Sequence, residues 1–180
     1  MKLEDVLNEK KKAILDGWFQ AALESYHPDS INFFKNKKDQ FQNPVGHTLS
    51  EGMGVILDEI LGEFRREQMA DPLDRIIKIR SVQDFSAADA VSFMFQLKDV
   101  VRNIAGEAIS QHHLEESLYK FDARVDRLVL YAFENYTRCR EKLYQIRIDQ
   151  VKAGGFRILD RLNRKPESAD GDSGEKIENN

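Results

Sequence analysis

The chain has 180 residues, 41% hydrophobic and 32% charged, with a formal net charge of −4. That is long enough for one domain with a substantial core, and the mix suits a helix-rich globular protein. The single cysteine excludes an internal disulfide. The start Met1-Lys2-Leu3-Glu4-Asp5 lacks the apolar stretch of a signal peptide. The longest strongly apolar run, residues 128–133, is too short to span a membrane, so a cytoplasmic location without membrane insertion is expected.

The first predicted helix covers residues 2–26, where Leu3, Leu7, Ile14, Trp18 and Ala21 share one stripe. His27-Pro28 ends it, because a residue before proline avoids the α region. Residues 27–43 read as a loop or short turn, held to the body by Phe33, Phe34 and Phe41. Asn43-Pro44 opens the second helix: asparagine caps the free amides and proline suits the first helical position. Val45, Leu49, Met53, Ile56, Ile60 and Phe64 then recur at threes and fours, interspersed with Gly46, Gly52, Gly54 and Gly62. Those glycines lower helix propensity, and close helix contact or room for a small ligand would explain them.

Asp71-Pro72 repeats the cap-plus-proline signature and is expected to open a short third helix reaching Arg80. Ser86-Ala87-Ala88-Asp89 is a capping-box variant that opens a fourth, ending near Ser110. Its apolar residues (Ala90, Phe93, Met94, Leu97, Val101, Ile104 and Ala108) cover enough of its circumference to place it centrally. In the last predicted helix, residues 114–152, an apolar stripe runs through Leu128, Ala132, Tyr136, Cys139, Leu143 and Ile146. Residues 114–151 would span about 57 Å at 1.5 Å per residue. A compact chain of this size has a radius of gyration of about 16 Å, so the helix is expected to project and to need a partner for its stripe. Gly154-Gly155 is the expected break, followed by a short amphipathic piece carrying Phe156, Leu159 and Leu162. The organisation is then an all-α helical bundle over residues 1–163 and a disordered acidic tail over 164–180.

Charge is distributed unevenly. Residues 138–165 carry nine bases and three acids, a net of +6, while residues 166–180 carry five acids and one base, a net of −4. A solvated helix face partly neutralised by the tail accounts for this. Without a helix-turn-helix pattern, and with arginines circling the helix, no nucleic-acid partner is expected.

Residues 14–61 resemble the N-terminal domain of the RsbR/RsbRD-type co-antagonist proteins (RsbT co-antagonists) of bacterial stress signalling. The matching features are Trp18, the Tyr26-His27-Pro28 exit, and Phe41 followed by Asn43-Pro44-Val45-Gly46 leading into an apolar helix. The resemblance implies a globin-like helical fold without haem, dimeric, whose final helix passes a signal onward. Family members usually continue into a STAS output domain or a kinase. As this chain ends at Asn180, the expectation is a stand-alone copy without a STAS output domain, either sending its output to an unknown regulatory protein or having lost the output domain.

Catalytic chemistry is not apparent. No Gly-x-Ser-x-Gly, Walker loop, dinucleotide fingerprint or zinc-finger spacing occurs. His112 and His113 are adjacent, so on a helix they point about 100° apart and do not share an ion. His113-x-x-Glu116 lacks the second His/Glu pair of a di-metal bundle. His47, on the first turn of the second helix, reads as a surface residue. Cys139 lies within an apolar stripe and reads as structural. The expectation is a regulatory or sensory module that is not an enzyme, has no metal or other cofactor, and works through protein contacts and homodimerisation. Its alternative is a haem- or small-ligand-binding globin-like sensor. Trp18, Met53, Phe93 and Met94 form the candidate ligand pocket. Leu128, Ala132, Tyr136, Cys139, Leu143 and Ile146 are the candidate dimer contacts.

Overall fold

The computed structural model describes residues 1–27, 30–31, 34, 41–83 and 85–163. The expected acidic tail and Phe33 lie outside them. Among the described residues six helices of seven or more residues form, with no strand: α1 Leu3–Glu9, α2 Lys11–Glu24, α3 Pro44–Leu61, α4 Arg66–Val82, α5 Ala87–Gln111 and α6 Glu115–Asn163. The all-α expectation and the long last helix hold. The chain divides into two compact units, Met1–Glu141 and Lys142–Asn180.

In the first unit, α3 packs along α4 and α2 along α5. α5 is central, burying Ala90, Phe93, Met94, Leu97, Val101 and Ala105. The early part of α6 adds Phe121, Val125, Leu128 and Ala132 to the same core. Two helix starts are built as the local sequence dictates. Asn43 accepts a hydrogen bond at Oδ1 from the Gly46 amide, 2.8 Å, with Pro44 at the first helical position. Ser86 Oγ accepts from the Asp89 amide, 3.1 Å, and donates to the Asp89 carboxylate, 2.6 Å.

Four boundaries differ from expectation. The first helix is divided at Lys10. Residues 8–13 (Asn8-Glu9-Lys10-Lys11-Lys12-Ala13) offer no large apolar side chain for more than a turn, so a joint there forfeits no burial. The Asp71-Pro72 pair does not open a helix; Pro72 sits inside α4, which begins at Arg66. Extending the helix upstream buries Met69, and the carbonyl that loses its partner to proline belongs to exposed Gln68. α3 stops at Leu61 and Phe64 follows in the left-handed region at φ 57°. There its ring packs beside Tyr131 and under the Arg127 guanidinium, 4.8 Å from the centroid. Gly154-Gly155 does not end α6: about 1 kcal/mol per glycine is too little to break a helix already propagating on both sides. Of the loop phenylalanines, Phe34 packs against the core, whereas Phe41 is 93% exposed.

The second unit is described as far as Asn163. It is helical; Leu143 is half-buried, and Tyr144, Ile146, Ile148, Val151, Phe156, Ile158 and Leu159 are exposed.

Candidate functional site

The four predicted pocket residues come together, but as packed core. Trp18, Met53 and Met94 are fully buried and Phe93 is 1% exposed. Trp18 Nε1 donates to the Phe93 carbonyl oxygen, 2.8 Å, and the two rings stack with centroids 6.2 Å apart. Trp18 therefore pins α2 to α5. None of these four residues lines the three clefts at α1 and α6, at α3 and α4, or at α2 and α3. Gly52 serves close packing: a Cβ there would lie 2.9 Å from Ile76 Cδ1 on α4.

A cleft of about 240 Å³ opens between α2 and α3. α2 contributes Leu15, Asp16 and Phe19; α3 contributes Gly46, His47, Ser50 and Glu51; Phe34 closes one side. The asparagine cap builds this wall. Asn43 Nδ2 donates to the Phe34 carbonyl oxygen, 2.9 Å, while its Oδ1 holds the Gly46 amide. A side chain at position 46 would collide with Asn43, its Cβ falling 2.2 Å from Nδ2, so this cap requires glycine. His47 Nε2 lies 3.7 Å from a Glu51 carboxylate oxygen.

At the chain-entry end of α5 lies a group absent from the sequence-based expectations. Arg80 is fully buried. Its Nη2 donates to Ser25 Oγ, 2.7 Å, and to the Asp89 carbonyl oxygen, 3.0 Å, both neutral acceptors. Its Nε and Nη1 have no hydrogen-bond partner among the described residues, nor does the buried Tyr26 hydroxyl. Three rings surround the guanidinium, with centroids 4.4 Å (Phe85), 4.7 Å (Phe93) and 5.3 Å (Tyr26) from its central carbon. Burial pushes the Arg80 pKa down and the Tyr26 pKa up, and each is partly offset by the other's charge. One signal was present in the sequence: Met69, Leu73, Ile76 and Arg80 follow one another at helical spacing, so a charge occupies the apolar stripe.

The six candidates on α6 separate. Leu128 and Ala132 are fully buried in the first unit, and Tyr136, 6% exposed, donates its hydroxyl to the Phe85 carbonyl oxygen. Cys139 and Leu143 are half-buried, and Ile146 is 53% exposed. His112 and His113 are exposed at the turn between α5 and α6, His113 with φ 51°. Among the described residues no three His, Cys, Asp or Glu side chains converge as metal ligands, and no helix is long and apolar enough to cross a membrane.

Residues 12–151 match the RsbT co-antagonist protein rsbRD N-terminal domain family. The chain belongs to that family. The match runs from the start of α2 into the second unit, well beyond the stretch whose motifs carried the resemblance. An uncharacterized protein of Archaeoglobus fulgidus is 24% identical over 128 residues, covering 68% of this chain and 81% of that protein. No solved structure matches the chain. Within this rsbRD-type domain the motif residues have definite tasks: Trp18 joins α2 to α5, and Asn43 with Gly46 fixes the head of α3 and the position of Phe34.

Proposed function

We propose that this rsbRD-type domain is a regulatory module of stress signalling that acts through protein contacts and homodimerisation and performs no catalysis. The family match over residues 12–151 carries the regulatory part of this reading. The exposed apolar residues of α6 support the assembly part. Within the second unit Tyr144, Ile148, Val151 and Ile158 follow at intervals of four, three and seven, which is the seam of a heptad repeat. A protein that left such a row in water would carry an aggregation liability.

The dimer contact proposed here uses this seam together with Leu143, Ile146 and the half-buried Cys139. Leu128, Ala132 and Tyr136 are occupied with the protein's own core. Arg147 and Lys152 flank the seam, so pairing should strengthen as salt screens them. Sedimentation equilibrium at tens of micromolar tests the reading. A dimer that dissociates on Ile148→Lys or Val151→Lys is expected; a wild-type monomer, or a dimer indifferent to both changes, refutes it.

A further inference from the structure

The cleft between α2 and α3 has a chemical character that its lining residues define. One wall presents Asp16 and the other Glu51, and among the described residues no lysine or arginine lines it. The apolar floor and side are Leu15, Phe19 and Phe34, and both phenylalanines pack against the core, which fixes them in place. Ser50 adds a hydroxyl, and His47 Nε2 stands 3.7 Å from a Glu51 carboxylate oxygen. Two carboxylates at the mouth of an aromatic-walled cleft attract positive charge and repel negative charge, and aromatic faces favour a cation over a neutral group of the same shape. At about 240 Å³ the space is smaller than the roughly 300–1,000 Å³ of sites for drug-sized ligands.

The geometry points to a binding site for a small organic cation, an amine with a short apolar arm. Its charge is held by Asp16 and Glu51, and its arm lies against Phe19 and Phe34. Occupancy would supply the input of the regulatory module proposed above, and a physical route outward exists. Phe34 meets the Tyr26 ring edge-on with centroids 5.1 Å apart, Tyr26 meets Phe85 at 5.3 Å, and the Phe85 carbonyl oxygen accepts the Tyr136 hydroxyl of α6. A ligand that presses on Phe34 acts on one end of this row, and α6 stands at the other.

The test uses the full chain and three probes that share one carbon arm: n-butylammonium, n-butanol and n-butyrate. Each is titrated by ligand-detected NMR. Butylammonium is expected to saturate below about 10 mM and to bind at least about tenfold more tightly than butyrate, with butanol between them. The Asp16→Asn/Glu51→Gln double variant should bring the three probes to within about twofold of one another. Both substituted side chains are exposed, so its thermal melt should match the wild type. Failure of butylammonium to saturate, equal binding of butyrate, or an unchanged preference in a folded double variant each overturns the proposal. Because binding is read apart from sedimentation, loss of this site leaves the dimer question standing, and a monomer leaves this site standing.

Discussion

Replacing Arg80 with methionine removes a buried charge while preserving most of the side chain's length and width. Three contributions set the outcome. The two Nη2 hydrogen bonds come from a charged donor, each worth about 1.5–3 kcal/mol. The surrounding rings add about 0.5–2 kcal/mol of cation–π attraction. Against these stands the desolvation of the guanidinium, several kcal/mol for an ion. No carboxylate among the described residues bonds to it, and Nε and Nη1 are left without acceptors. Neither of its present acceptors is orphaned by the change: Ser25 Oγ also donates to the Ala22 carbonyl oxygen, 2.8 Å, and the Asp89 carbonyl lies in the first turn of α5.

The opposing contributions are of similar size, so Arg80→Met should change the unfolding free energy by less than about 1.5 kcal/mol in either direction. Arg80→Ala has no stem to fill the space between Tyr26, Phe85 and Phe93. It should fall at least about 2 kcal/mol below the methionine variant. Urea unfolding at neutral pH measures both. A methionine variant destabilised by more than about 3 kcal/mol would show that the guanidinium is a net stabilising group, and the reasoning about its missing acceptors would be wrong.

Glu59 accepts three hydrogen bonds from Arg65, through the backbone amide (3.1 Å), Nε (3.1 Å) and Nη2 (2.7 Å), which hold its carboxyl below the ordinary value of 4.5. A depressed folded pKa contributes stability above 4.5 that is lost as the pH falls through the folded value, so Glu59→Gln should flatten the acid side of the stability–pH curve. Equal acid-side slopes in the two proteins would contradict this. Gly106 lies within α5 with no neighbouring atom within 4 Å of where a Cβ would stand, so Gly106→Ala should gain about 0.5–1 kcal/mol in urea unfolding. Gly46→Ala should instead lose about 1–2 kcal/mol, since its Cβ displaces the Asn43 cap; a gain would mean that Asn43 can swing aside without cost.

What the sequence disclosed was mostly local. Asn43-Pro44 and Ser86 through Asp89 announce helix starts because every atom of a cap lies within four residues. Asp71-Pro72 carries the same local signal, yet there burial of Met69 outweighs it, and the competing interaction is tertiary. The glycine pair of α6 misleads for a related reason: propensity is a small energy per residue, and helix on both sides overrides it. The cleft and the Arg80 cage were hidden more deeply. Tyr26, Arg80, Phe85 and Phe93 belong to different segments, and Asp16 and Glu51 line one cleft only because α2 docks on α3.

The last helix shows where pattern alone stops being informative. A row of apolar residues at threes and fours identifies a face without saying what covers it. Leu128, Ala132 and Tyr136 are covered by the first unit, whereas Ile146, in the same row, is exposed. A second row, Tyr144, Ile148, Val151 and Ile158, lies on another side of the helix and is exposed along its length. In the first unit Tyr119, Leu130 and Phe133 of α6 are also exposed, but charged residues of the helix pair with α4 and α5: Arg66 with Glu134, Lys98 with Asp126, and Arg102 with Asp122. Over residues 142–161 the bases Lys142, Arg147, Lys152, Arg157 and Arg161 stand beside apolar residues and outnumber the acids Asp149 and Asp160. That combination of an apolar seam with like-charged flanks favours an association that is firm at physiological salt and weaker at low salt, which is the opposite of what complementary ion pairs across a dimer would give. The salt dependence of sedimentation therefore separates a seam-driven dimer from one held by charge: association that weakens as salt is raised would exclude the seam as its principal contact.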